Sequence, residues 1–246
     1  MTVGIVIGES HVACIENAAL KYPALLPGLE VHRLSSPRRP NLPGTISIDC
    51  AEAKLKELPS NRPTFLYMMG TYHNIIGLLR TEPEFDFLFS STETDFNSYS
   101  VIVPRAIISQ IFKEHLSKSA SAIRLSRAAP GRVYLLGTPP PKCSNEFIIN
   151  KFESMVKKQY NGKNVPEVGI NRPELRLKFW KIEQQELRSW CKDHDIQFIP
   201  SPLLAQIEGG FLREEFYGDD ATHANVEYGK LWIESIRDLI TSCSED

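Results

Sequence analysis

The stretch Thr2-Val-Gly-Ile-Val-Ile-Gly-Glu-Ser10-His-Val-Ala13 decides how the chain is read. Val3 to Ile7 is a continuous apolar run with β-branched residues, the pattern of a strand covered on both faces. Beyond Ser10 the period changes: Val12, Ile15, Ala19 and Tyr22 recur at three- and four-residue intervals until Pro23. That spacing predicts a helix over 11–22. Ser10 therefore stands where a strand ends and a helix begins. Open α/β sheets bind ligands at such junctions, outside the carboxyl ends of the strands and at the positive ends of helices. A serine there is also an ordinary helix cap, satisfying an orphan backbone donor.

The same alternation recurs along the chain. Glu30–Leu34, Thr64–Met69, Arg132–Leu136 and Ile196–Ile199 read as further strands. Helical spacing covers 46–58, 174–193 and 226–240, and one helix is expected from Pro104 to about Ala128, with Ile107, Ile108, Ile111, Phe112 and Leu116 on one face. Phe85–Phe89 is either an added strand or an apolar turn. Five short strands separated by helices predict a three-layer α/β/α fold around a five-stranded parallel sheet with right-handed crossovers, one domain spanning residues 1–246. Three segments interrupt it. They are the breaker-rich loop 35–44, the polar and flexible loop Ser90–Ser100, and an insertion at about 142–173 containing Asn161-Gly162. The last two are placed to shape a pocket. Trp180 and Trp190 follow helical spacing and belong to the core.

Composition removes several classes of function. A formal charge of −2 gives no footprint for nucleic acid or an anionic membrane, and Arg38-Arg39 and Lys157-Lys158 are short solvated pairs. The five cysteines are scattered without a C-x-x-C pair, so neither a disulfide framework nor a cysteine zinc site is expected. The first apolar run has no basic segment before it and ends within ten residues, as a strand does and a signal peptide does not. No apolar stretch approaches the roughly 18–20 residues of a membrane span. A cytoplasmic location, no membrane span and no cofactor are the expectations.

The partner for Ser10 lies at the other end of the chain. His223 follows Asp220 by three residues in Tyr217-Gly-Asp-Asp-Ala-Thr-His-Ala-Asn225, just before the last helix. A hydroxyl nucleophile needs an imidazole within hydrogen-bond reach and a carboxylate to fix its tautomer. An Asp-x-x-His turn supplies both from one segment; it can also be no more than a capped helix start. The other serine and glycine signatures are absent. Gly8-Glu-Ser-His lacks the spacing of the G-x-S-x-G elbow, no lysine precedes the serine as in a P-loop, and Gly4 and Gly8 are four apart.

In order along the chain stand Gly8-Glu9-Ser10, Gly44, Gly70-Thr-Tyr-His-Asn74 and Asp220-Ala-Thr-His223. Together they resemble the four blocks of the SGNH hydrolases, the GDSL esterase and lipase family. The resemblance covers nearly the whole chain, and its first and last blocks are specific as a pair. It implies the flavodoxin-like SGNH fold and a serine esterase, with an ester of a small molecule or glycan as substrate. Ser10 would be the nucleophile, His223 the general base and Asp220 its orienter. The Ser10 and Gly44 backbone N–H groups and the Asn74 amide would form the oxyanion hole.

Two departures qualify the match. Glu9 stands where the family has aspartate, one methylene longer. The third block carries two extra residues, so an ungapped match puts Tyr72 at the oxyanion position, with His73 as a further donor. Asp219 is an alternative to Asp220. His11 is expected to face away from the serine, and a metal site from His73, Asp220 and His223 is a minor alternative. The same acyl-enzyme could serve an acyltransferase, and the altered third block leaves room for a non-catalytic binding domain.

Overall fold

The computed structural model describes residues 2–35, 43–89, 101–155 and 158–242. In chain order the regular elements begin with β1 (Gly4–Gly8), α1 (Ala13–Lys21), β2 (Leu29–Leu34), β3 (Thr45–Ile46), α2 (Ile48–Glu57), β4 (Thr64–Tyr67) and α3 (Tyr72–Gly77). Next come β5 (Phe85–Asp86), β6 (Val101–Ile102), α4 (Arg105–Leu116), α5 (Ala120–Ala128), β7 (Val133–Leu136) and α6 (Asn145–Glu153). The chain continues through β8 (Gln159–Tyr160), β9 (Lys163–Asn164), α7 (Val165–Val168), α8 (Pro173–Asp193), β10 (Gln197–Ile199) and α9 (Val226–Ser242).

Six strands form one wholly parallel sheet in the order β10-β7-β4-β1-β2-β3. The α/β class with a parallel sheet is as expected; the strand count is six instead of five. The extra strand is β3, whose Ile46 falls on the first residue of the helix expected over 46–58. Thr45-Ile46 is a β-branched pair that extends against β2, and the Ser47 hydroxyl then accepts the Cys50 N–H at 3.1 Å and starts α2 late. From β1 the chain fills one side of the sheet and then crosses to β4 and fills the other. The reversal leaves a crevice between the carboxyl ends of β1 and β4, the switch point where such sheets bind ligands. Ser10 follows β1 directly.

The strand period separates the two faces. Val6, Phe65, Tyr67, Tyr134 and Leu136 pack with α1 and α9 residues such as Ile15, Trp232 and Ile236. Ile5, Ile7, Leu66 and Leu135 pack with Leu55, Leu125, Leu187 and Trp190 of α2, α5 and α8. Residues i and i+2 share a face, so each strand feeds both layers. Trp180 and Trp190 are buried, as their spacing predicts.

The single helix expected over 104–128 is two, broken at 117–119. Ile108, Phe112 and Leu116, four apart, form the buried stripe, whereas Ile107 and Ile111 lie one step round the helix and are exposed. Phe85–Asp86 does form a strand, but it pairs with Val101–Ile102 outside the main sheet. The loop Ser90–Ser100, Arg38-Arg39 and Lys157 lie outside the described residues, apart from the turn and strand around them. The insertion holds α6, the β8–β9 hairpin and α7. Asn161 (φ 50°) and Gly162 (φ 78°) both adopt positive φ, the turn that Asn-Gly favours between antiparallel strands. Ile148, Phe152, Val165 and Ile170 of this segment pack with Leu78, Leu79 and Ala221. The insertion thus rests against the residue between Asp220 and Thr222. Among the described residues no helix is long and apolar enough to cross a membrane.

Candidate active site

The Ser10 turn is built by close approach of β1 to β4. A Cβ on Gly8 would lie 2.3 Å from the Tyr67 carbonyl oxygen, so only glycine fits where β1 ends. The Glu9 N–H donates to the same Tyr67 carbonyl at 3.1 Å. Burial raises the Glu9 carboxyl, against a lowering by the Met69 backbone N–H. The longer side chain thereby reaches the β4 loop. Ser10 opens a short 3₁₀ turn, Ser10–Val12, ahead of α1, and its hydroxyl caps nothing. It is exposed, with no side-chain hydrogen bond among the described residues.

The loop after β4 closes the other wall. Met69 (φ 63°) and Gly70 (φ 71°) both turn left-handed at the strand end. A non-glycine residue held there costs on the order of 1–2 kcal/mol, so packing must hold Met69 in place. A Cβ on Gly70 would meet the Thr138 side chain at 2.9 Å, and the Thr138 hydroxyl donates to the Gly70 carbonyl at 2.6 Å. This clamp sets where α3 begins.

The Asp220–His223 turn is a self-contained unit. Asp220 Oδ1 accepts the N–H groups of Thr222 at 2.8 Å and His223 at 2.7 Å, and Oδ2 accepts His223 Nδ1 at 2.5 Å. With its proton on Nδ1, neutral His223 presents an unprotonated Nε2, the state a general base requires. Asp220 makes these contacts and Asp219 makes none of them. Burial pushes the Asp220 carboxyl up. The His223 side chain and the two backbone donors outweigh it and hold the group well below the usual carboxylate range. A bridge between Tyr217 and Ala224 and the Gly218 N–H to His223 carbonyl bond at 2.9 Å close the turn.

Two residues that sequence reading missed hold this turn from behind. Lys142, 2% exposed, donates from Nζ to the Gly218 carbonyl at 3.0 Å and to the Asp220 carbonyl. Its ammonium lies 4.6 Å and 5.0 Å from the ring centroids of Phe147 and Tyr217. Burial pulls the amine down to about 8 despite the opposing charge of Asp220. Arg176 on α8 in turn fixes Lys142, donating to the carbonyls of Asn171, Lys142 and Cys143 and to Asn145 Oδ1 at 2.5–3.1 Å. Burial lowers that guanidinium to about 10. No local pattern marks either residue, because each partner is remote in sequence.

The two ends of the chain meet through His11. Its ring centroid lies 4.3 Å from that of His223 at an interplanar angle of 34°. The 3₁₀ turn rotates it inward, where it is 8% exposed. Burial, then the neighbouring His223 and His73, drive its pKa well below the ordinary imidazole value. Among the described residues His223 Nε2 is buried without a hydrogen-bond partner, and the ring it meets, His11, directly follows Ser10 in the chain.

The third block divides its three donors. The Tyr72 ring stacks on His115 at 3.9 Å and meets Phe112 edge-on, packed toward α4. Asn74 is half-buried in α3, its side chain without a described hydrogen bond. His73 is 3% exposed, with Nδ1 2.5 Å from Oε2 of the fully buried Glu183 and 3.2 Å from the Gly70 carbonyl. Glu183 Oε1 also accepts the Tyr72 N–H at 2.8 Å. Gly44 (φ 78°) sits in an exposed turn before β3, two strands from β1, and no described contact joins it to Ser10. Among the described residues no group of three His, Cys, Asp or Glu side chains is arranged to hold a metal ion. A cavity of about 470 Å³ opens beside the Asp220 turn, with Glu146, Asn150, Lys151, Glu214 and Asp219 in its wall.

No protein-family model and no curated protein sequence matches the chain. Solved structures similar to it include a carbohydrate acetylesterase from Sinorhizobium meliloti at 10% identity, covering 97% of this chain and 99% of that one, with a TM-score of 0.46. The periplasmic domain of a lipopolysaccharide acetyltransferase from Salmonella ser. Paratyphi A is 14% identical over 98% of this chain and 84% of that one, at a TM-score of 0.49. A GDSL-like lipase from Bacteroides thetaiotaomicron is 13% identical over 97% and 87%, at 0.45. The lipase is described as GDSL-like, the family that the sequence resembles.

Proposed function

We propose that this protein is a serine-dependent acyl hydrolase acting on an ester. The observation that carries the reading is the Asp220–His223 pair set against the turn that bears Ser10, with His223 Nε2 buried and unpartnered. Ser10 Oγ attacks the acyl carbon while its proton passes to His223 Nε2. The carbonyl electron pair moves onto oxygen. Collapse of that intermediate expels the alkoxide, which takes the proton back from His223, and water repeats the sequence to release the acid. Asp220 orients the imidazole and stabilises its charged form. The Ser10 backbone N–H, an orphan donor at the start of a turn, would donate to the oxyanion. The polar wall of the neighbouring cavity suits a hydroxylated alcohol portion such as a sugar, which favours a glycan ester over a long-chain lipid.

The test is hydrolysis of p-nitrophenyl acetate and of an O-acetylated sugar by wild type and Ser10→Ala. Ser10→Ala should retain less than a hundredth of the turnover; equal turnover would refute the serine assignment. Adding alcohol acceptors distinguishes acyl transfer, which would divert product from the acid to a new ester.

A further inference from the structure

The third oxyanion donor expected from the sequence is the Asn74 amide or the Tyr72 phenol, with His73 as a further donor. The side chains present disagree with the first two. Tyr72 is committed to a stack against α4, and among the described residues the half-buried Asn74 amide has no hydrogen bond. An oxyanion donor acts by being fixed before charge develops, so a freely rotating group stabilises little. His73 alone among the three is gripped by a buried partner. Its Nδ1 lies within reach of both Glu183 Oε2 and the Gly70 carbonyl. A carbonyl only accepts, so Nδ1 carries a proton. That leaves the Nε2 edge as the ring's remaining polar position.

The charge count decides what Nε2 does. Glu183 is fully buried; the ionisable group it hydrogen-bonds among the described residues is His73, and it also acts electrostatically on His115. An unbalanced buried carboxylate costs several kcal/mol, so the neutral arrangement is favoured, with two protons on the pair. One lies in the Nδ1–Oε2 bond and the other sits on Nε2. The ring then presents a charge-assisted donor. It does so beside the Ser10 turn, because β4 neighbours β1 with Gly8 opposite Tyr67, and His73 follows the left-handed turn at Met69-Gly70. The charge of His73 is felt at His11, as that of His223 is.

We infer that His73 is a catalytic oxyanion donor, held in place by Glu183 as its positioning residue. The assignment rests on the serine mechanism proposed above and replaces the amide that the family resemblance implied. As Ser10 Oγ bonds to the acyl carbon and the carbonyl pair shifts to oxygen, His73 Nε2–H donates to that oxygen and keeps its proton. The proton released by Ser10 goes to His223. The groups around His73 are Glu183 on α8, His115 behind Tyr72 on α4, and His11 in the first turn, with His223, Asp220 and Lys142 beyond.

Turnover and KM of wild type, Ser10→Ala, His73→Ala, His73→Gln and Glu183→Gln are measured, with thermal melting as a folding control. His73→Ala should lose about 10²–10³ in kcat with KM nearly unchanged. His73→Gln, whose amide nitrogen reaches the position of the imidazole Nε2 and can donate but cannot act as a base, should recover about a tenth of wild-type kcat or more. Glu183→Gln, which takes the carboxylate from the ring, should lower kcat with KM nearly unchanged. Wild-type kcat in His73→Ala would overturn the assignment, as would His73→Gln no better than His73→Ala. If His73→Ala does not fold, Glu183→Gln decides, and an unchanged kcat refutes a donor held by Glu183. Activity that survives Ser10→Ala removes the serine mechanism itself and this assignment with it. Ser10-dependent activity with a failed His73 series removes only the latter.

Discussion

Replacing Lys142 by Met tests whether a buried ammonium holds the Asp220–His223 turn. Lys142 Nζ donates to two carbonyls of that turn, and burial brings the amine down to about 8 in the folded chain. In the unfolded chain a lysine titrates near about 10.4. Between those values the unfolded state binds more protons than the folded one, so this residue makes stability rise with pH. Below pH 8 the cost of burying the charge is fully present; above the unfolded value it is gone. Methionine has similar length and carries no proton, so the variant lacks this slope. Each pH unit of differential protonation is worth about 1.4 kcal/mol, and roughly two units lie between pH 8 and 10. Urea unfolding of both proteins at pH 7 and pH 10 should therefore show the wild type gaining about 2–3 kcal/mol on Lys142→Met over that interval. All other titrating groups cancel in the difference. An equal gap at the two pH values would refute the reasoning. Turnover supplies a second readout: the variant leaves the Gly218 and Asp220 carbonyls without their donor, and a loosened turn should lower kcat about tenfold or more.

Asp220→Asn should keep the fold but lose about 10³–10⁴ in kcat, because an amide favours the wrong His223 tautomer; near-normal turnover in a stopped ester assay would argue against Asp220 as orienter. His11, buried and held neutral, contributes stability that is present above the ordinary imidazole value of about 6.5 and is lost as pH falls below it, by about 1.4 kcal/mol per unit. Unfolding midpoints from pH 7 to 5 should fall less steeply in His11→Gln than in wild type. Gly8→Ala drives a Cβ into the Tyr67 carbonyl at 2.3 Å, and calorimetry should show a loss of about 2 kcal/mol or more, with reduced turnover because Ser10 moves with the strand end.

Local periodicity and spacing carried much of this protein into view. The apolar run at Val3–Ile7, the strands that follow, and the long helix ending near Asp193 were legible because period and punctuation are properties of short windows. Boundaries were less so: β3 took the first residue of an expected helix, and 104–128 broke at 117–119, where tertiary packing and capping override local preference. The pairing of Asp220 with His223 was readable because three residues suffice to build it. The contact of His11 with His223 was not readable, since the direction of a side chain after a strand depends on whether a 3₁₀ or an α turn follows.

By itself, then, the sequence determined the α/β class and placed a serine at a strand end and an Asp-x-x-His turn near the other end of the chain. Only the tertiary structure decided which side chains surround them. Lys142 reaches the Asp220–His223 turn across 76 residues of chain, Arg176 reaches Lys142 across 34, and Glu183 grips His73 across 110. Such partners leave no local trace, because what selects them is burial of charge beside a neighbour that exists only after the sheet has closed.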